Sequence, residues 1–254
     1  MPTVLILSSH VAADAVGGSA QVVAFARAGI ETIFAPTVLF GRHPGHGAPG
    51  GGAVEAATFE GVLTGIAANG AFDTLDAVVT GYFADAEQVA AATRTIDAVR
   101  AVNQRARIIV DPIMGDHGKG LYVKAAVADA LAADLVSRAD LLAPNAWELQ
   151  RLTGLTVGDP TTAVTAARGQ GRAVLVSSVD VGPEIGVVYA DADEAWMASH
   201  RRADNVPHGT GDLLTALFTA DLLQGASAAE ALQTAVSDIA RRISKAPVTI
   251  TRLA

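Results

Sequence analysis

One segment of the sequence has residue types that could bind an anion and move a proton in the same place. His208-Gly209-Thr210-Gly211-Asp212 runs directly into the apolar stretch Leu213 to Leu223. Glycines let the backbone approach a ligand closely. The free N–H groups at a helix start, backed by the helix dipole, attract negative charge. A developing phosphoryl charge fits such a site, and Asp212 in the same turn could take the proton from an attacking hydroxyl while the amides hold the transferring group. Taken alone, the four residues G-T-G-D read more simply as a capping acid after a glycine turn. Their neighbours carry the argument further.

Other polar residues stand just after apolar runs: Ser8, Ser9 and His10 after the first, Gly81 and Tyr82 after another, then Asp111-Pro112-Ile113-Met114-Gly115-Asp116, then Pro144-Asn145 with Glu148 one turn on. In open α/β sheets, ligands gather outside the carboxyl ends of the strands, so these positions would share one edge. Any one of Asp111, Asp116 and Glu148 reads equally well as a cap or a surface acid, and their joint placement at one edge weighs against that reading. Tyr82 could pack at a sheet edge. In a chain with 5% aromatic residues, a tyrosine beside Gly81 just past a strand end is better explained by a flat ligand.

The elements that must position these residues follow from hydrophobic periodicity. Thr3 to Leu7, Glu31 to Ala35, Ala77 to Thr80, Arg107 to Val110, Leu141 to Ala143 and Ala173 to Ser177 are continuous apolar runs, the pattern of parallel strands covered on both faces. Helical patterns at Ala20 to Ala28 and at 54–68, 85–103, 123–137, 145–152 and 159–169 alternate with them, giving an α/β fold with a mostly parallel central sheet. Gly186 to Ala190 and Glu194 to Ser199 are too close for a crossover and read as an antiparallel edge hairpin turning at 191–193. Asp85 with Gln88, Asn145 with Glu148, and Ser227 with Glu230 have capping-box spacing. Phe40 to Gly52 holds six glycines and two prolines, which predicts a mobile surface loop without regular structure that could act as a lid. Neither an internal repeat nor a composition shift marks a second domain, so residues 1–254 are expected to form one unit.

Composition removes several function classes. With 254 residues, Lys and Arg total 18 against 26 Asp and Glu, a formal charge of −8, which argues against nucleic acid as a partner. No cysteine is present, so disulfides, thiolate metal sites and a cysteine nucleophile are ruled out. Half the residues are hydrophobic, yet no apolar stretch reaches the roughly 20 residues of a membrane span. Met1 leads into Val4-Leu5-Ile6-Leu7 without a basic n-region, and the expected compartment is the cytoplasm.

From Ser8 to about Ala240 the sequence resembles the ribokinase-like superfamily, and within it the pyridoxal kinases. Gly209-Thr210-Gly211-Asp212 matches the superfamily's glycine-rich anion hole, and Asn145-Ala146-Trp147-Glu148 its N-x-x-E element. Ser9-His10-Val11, Thr80-Gly81-Tyr82, the D-P-(V/I)-M-G-D segment at 111–116 and Leu121-Tyr122-Val123 match elements of pyridoxal kinases. The resemblance implies ATP-dependent phosphorylation of the 5′-hydroxyl of pyridoxal or a related vitamer. It gives Asp212 as base and the amides of Gly209, Thr210 and Gly211 for the γ-phosphate. Asp111, Asp116 and Glu148 would stand around Mg²⁺ and its waters, with Asp111 also toward the nucleotide. Asn145, Tyr122, Ser177, Ser178 and Thr210 would lie near the nucleotide, and Ser9, His43 and Tyr82 at the pyridine ring. A homodimer is also implied, and a monovalent-cation requirement is left open.

The sequence departs from the family at the acceptor end. Where the family shows S-N-H-T-x-Y-G, His43 and Gly47 persist while Pro44 and His46 replace the Thr and Tyr, and Ala48-Pro49-Gly50-Gly51-Gly52 replaces bulkier or basic residues. In the first loop the family's Gly and Asn appear as Asp14 and Gly18. These changes predict a looser lid and altered specificity, with phosphoryl transfer untouched. A hydroxymethylpyrimidine kinase is the nearest alternative, although those enzymes typically place a Cys where this chain has Asp212. A non-catalytic nucleotide or vitamer sensor is the alternative from another class, and it would gain nothing from several uncompensated carboxylates beside an anionic ligand. His10, His43, His46 and His208 fall in separate loops without ligand spacing, so no zinc site is expected.

Overall fold

The computed structural model describes residues 1–203, 206–243 and 246–254. In chain order the elements are β1 (Thr3–Val11), α1 (Gly17–Arg27), β2 (Glu31–Phe40), β3 (Gly51–Ala53), α2 (Ala56–Ala68), β4 (Ala77–Thr80), α3 (Ala86–Val102), β5 (Arg107–Val110), β6 (Gly115–Asp116) and β7 (Gly120–Leu121). They continue with α4 (Ala125–Ala130), β8 (Leu141–Leu142), α5 (Ala146–Thr153), α6 (Pro160–Arg168), β9 (Ala173–Val181), β10 (Glu184–Ala190), β11 (Ala195–Arg201), α7 (Thr210–Leu223), α8 (Ala228–Ile243) and β12 (Thr249–Leu253). One ten-stranded sheet has the order β12-β11-β10-β9-β8-β5-β4-β1-β2-β3, and β6 pairs with β7 in a separate small hairpin.

The six central strands, β9 to β2, are parallel, while β10, β11 and β12 extend one end antiparallel and β3 closes the other. The apolar runs are continuous because helices cover both faces. Leu5, Leu7, Ile108 and Val110 pack toward α2 to α6, and Val4, Ile6 and Ile109 toward α1, α7 and α8. Full burial of each such side chain contributes roughly 1.5–3 kcal/mol. β4 and β5 begin and end where their apolar runs do, and the hairpin pairs Ala190 with Ala195.

Several expectations are corrected. β1 continues through Ser8, Ser9 and His10 to Val11, with a register irregularity against β2 between Ser8 and His10, so these residues lie within the strand's carboxyl end. The 40–52 stretch is not without regular structure: a 3₁₀ turn occupies Pro44–His46, and Gly51–Ala53 pair antiparallel with Val38 to Phe40. The expected helix at 123–137 is α4, then a wide π turn at Leu131–Leu135 and a 3₁₀ turn at Val136–Arg138. Asp85 caps α3, but the Gln88 side chain turns away from the Asp85 amide. It accepts from the Ala84 N–H and donates to the carbonyls of Thr37 and Val54, tying α3 to the base of the 41–53 loop. β12 has no counterpart in the sequence reading, because its five edge residues, three of them exposed, carry no apolar run. Among the described residues no helix is long and apolar enough to cross a membrane.

Candidate active site

Two helix starts meet at the carboxyl edge of the sheet. Gly209 holds the left-handed conformation (φ +87°) that opens α7, and a Cβ there would collide with the Ala15 carbonyl and Val16, so only glycine lets the two loops close. Gly17 (φ +56°) opens α1 against Ser9, whose side chain occupies the space a Cβ would need. Asp212, in the first turn of α7, is half-buried, and its Oδ1 is completely buried without a hydrogen-bond partner among the described residues. Burial pushes its carboxyl up to about 6, against the opposing pull of the backbone N–H groups of Gly17 and of Asp212 itself.

One residue triplet along α7, the Thr215 hydroxyl donates to Asp111 Oδ2 at 3.0 Å. Asp111 is buried, and its carboxyl is held well above the ordinary value by burial first and then by the charges of Asp212 and Glu148. Glu148 is also buried. Its Oε1 accepts from the N–H groups of Met114 (2.8 Å) and Gly115 (3.3 Å), and its Oε2 from that of Asn145 (2.9 Å). Burial dominates those three bonds and raises Glu148 to about 7. The expected box at Asn145 is complete, and the Asn145 amide also donates to the Gly115 carbonyl at 2.8 Å. Asn145 and Glu148 therefore fix the β6–β7 hairpin over the acidic group.

Tyr122 leaves that hairpin half-exposed, its N–H bonded to the Met114 carbonyl. Its phenol is pushed up by burial and then by the charges of Glu148, Asp111, Asp116 and Asp212. Asp116 accepts from the His117 N–H. Ser177 donates its N–H to the Pro144 carbonyl, beside Asn145. Ser178 is exposed with φ +61°, where the β9–β10 register slips, and such backbone strain in a non-glycine residue concentrates at functional sites.

At the other end, Tyr82 is half-buried and burial raises its phenol. Its N–H reaches Ser8 Oγ (3.3 Å) and its carbonyl accepts from Thr37 Oγ1 (2.6 Å). Among the described residues no hydrogen bond joins Tyr82, Ser177 or Ser178 to the acidic group. His43 does not stand alone as the sequence suggests: its ring stacks on His208 with centroids 4.1 Å apart, and His46 lies 5.9 Å from His43. Sequence reasoning missed Thr215, for which the only signal was a hydroxyl three positions after Asp212 on one helix face. It also missed the joining of Asp14, His46 and His208, which no local spacing could reveal. Among the described residues no three His, Asp or Glu side chains form a group able to hold a metal ion directly.

A family model described as phosphomethylpyrimidine kinase matches residues 54–252. A pyridoxine/pyridoxal/pyridoxamine kinase of Bordetella avium is 39% identical over 238 residues, 91% of this chain and 80% of that protein. Pyridoxal kinase PdxY of Corynebacterium diphtheriae is 33% identical over 245 residues, 93% of this chain and 86% of its own. Among solved structures, pyridoxal kinase from Entamoeba histolytica superposes with a TM-score of 0.91 at 26% identity, covering all of both chains. The fold is also that of the Leishmania donovani pyridoxal kinase in complex with ADP and pyridoxamine, with a TM-score of 0.88 at 23% identity and complete coverage of both.

Proposed function

The chain belongs to the pyridoxal kinase family, with its ribokinase-like fold, and from that premise we propose that Asp212 is the base when ATP phosphorylates the 5′-hydroxyl of a vitamin B6 vitamer. The observation that carries this reading is Asp212 Oδ1, buried at the start of α7 with no hydrogen-bond partner among the described residues. An unsatisfied buried acceptor costs about 1–3 kcal/mol, and a substrate hydroxyl would supply the missing donor. With its carboxyl near 6, Asp212 is ionised at neutral pH yet more basic than an ordinary aspartate, the state a general base needs. The amides of Gly209, Thr210 and Gly211 stand where the transferring phosphoryl group would be held, on the positive end of α7.

Asp111, Asp116 and Glu148 fit Mg²⁺ in the chemistry of their donors, hard oxygens with no lysine or arginine ion-paired to them among the described residues, and Asp111 in particular gains from any cation that relieves its two acidic neighbours. Because they do not converge as a cage, contact through water is the fitting mode, with Glu148 acting chiefly by holding the Met114–Gly115 backbone. The cation would neutralise charge on the ATP phosphates. Ser177, Ser178, Asn145 and Tyr122 then line the nucleotide end, and Ser9, Tyr82 and His43 the ring end. One kinase unit over 1–254, a homodimer and a cytoplasmic setting belong to the same reading.

ADP release with Mg·ATP, compared across pyridoxal, pyridoxine, pyridoxamine and hydroxymethylpyrimidine, tests it. Turnover with a B6 vitamer that vanishes in Asp212→Ala is the expected result. Preference for hydroxymethylpyrimidine would move the assignment to the reaction named by the family model, and failure of all four acceptors while ATP binds would favour a sensor.

A further inference from the structure

The 41–53 loop has the composition of a free lid, yet the structure pins it at three points. The His43 N–H donates to Asp14 Oδ2 at 2.6 Å, Asp14 Oδ1 lies 3.4 Å from His46 Nδ1, and the His43 ring lies 4.1 Å from that of His208, inclined by 24°. Gly45 passes so close that a Cβ would sit 2.9 Å from His208 Nε2 and from His43 Nδ1. His208 in turn immediately precedes Gly209, whose conformation opens α7. Two of these residues, Asp14 and His46, are positions where the chain departs from the family pattern. The far side of the loop is tied separately, by the Gly41 and Arg42 N–H groups to the Pro49 carbonyl and by the pairing of Gly51 and Gly52 with Phe40 and Leu39, which leaves the 43–46 tip to the histidines and Asp14.

We propose that His208 is a positioning residue: stacked on His43, and with Asp14 holding the loop from the other side, it latches the 41–53 loop against the anion-hole turn and so fixes the acceptor end of the site. The inference rests on the reading above for what the acceptor is, but the latch itself is a property of the free protein.

The latch is also sensitive to acid. His43 Nδ1 accepts the Gly45 N–H at 3.0 Å, so it is unprotonated in the latched form. A proton there would break that bond and set a cation against His208 and His46, with Lys119 adding positive charge, Arg42 beside Gly47, and Asp14 the opposing acid among the described residues. Burial, then His208 and His46, hold His43 below its ordinary 6.5. A depressed histidine stabilises the latched form above the ordinary value, and the contribution is lost as pH falls below it.

Hydrogen exchange at the His43, Gly45, His46 and Gly47 amides, each hydrogen-bonded, reads the latch without substrate. In His208→Ala these amides are expected to exchange about tenfold faster and the acceptor KM to rise about three- to tenfold, with kcat and the KM for Mg·ATP moving less. His208→Phe keeps a flat ring and should restore both, with a smaller rise in acceptor KM between pH 7.5 and 5.5 than the wild type shows. Unchanged exchange in His208→Ala, or His208→Phe behaving as the alanine variant does, overturns the latch. A wild type without turnover would defeat the functional reading, while the exchange experiment would still decide the latch.

Discussion

The two ends of the site are built on opposite plans. At the end proposed to hold the phosphoryl group, carboxylates are buried and held by backbone amides: Glu148 by those of Met114, Gly115 and Asn145, Asp212 by the head of its own helix and of α1. At the acceptor end, Asp14, His43, His46 and His208 come from three loops and hold one another on the surface. The first end stores like charge that a cation and a substrate proton would relieve; the second stores order that a proton on an imidazole would dissolve. Chemistry and specificity can therefore diverge separately in one chain, since the departures from the family pattern, Asp14, Pro44 and His46 among them, all fall at the acceptor end.

Four measurements test that division. The largest effect is expected for Asp212→Asn, a fall in kcat of about 10²–10⁴-fold with ATP affinity within a few-fold, measured by ADP release and nucleotide titration. Glu148→Ala leaves three backbone donors without their acceptor, each at about 1–3 kcal/mol if buried and dry. It should lower Tm by several degrees and reduce kcat, read by calorimetry and initial rates. Tyr82→Ala should raise the acceptor KM about tenfold and leave the KM for Mg·ATP nearly unmoved, the mark of lost ring contact. The smallest effect is on stability against pH. Asp212 and Glu148 have raised values, so their neutral forms favour the fold at low pH and that contribution is lost as pH rises through about 6 and about 7. The ligand-free protein should therefore lose Tm from pH 5 to 8, less so as Asp212→Asn, while the exchange protection of the 43–47 loop changes in the opposite direction.

Legibility in the sequence follows the same division. β4 and β5 are readable to the residue because burial on both faces makes their runs apolar throughout, and the hairpin because the four residues between Ala190 and Ala195 cannot cross over. β3 and β12 are edge strands whose pairing depends on the strand beside them, so composition hides them. Gln88 has the spacing of a box but satisfies two distant carbonyls instead, a tertiary choice no local rule contains. Asp111, Glu148 and Asp212 were visible because their spacing to strand ends and helix starts is itself the device. His208 was not, because its partner lies 165 positions away across the fold.

The measurement that bears most directly on this division of labour is a double-mutant cycle on kcat and acceptor KM with Asp212→Asn, Tyr82→Ala and the two combined. Independent ends give a double variant with the kcat loss of the first and the KM rise of the second, coupled by less than about 0.5 kcal/mol. Near-normal turnover in Asp212→Asn, or a KM rise from Tyr82→Ala that disappears once Asp212 is replaced, would contradict the account.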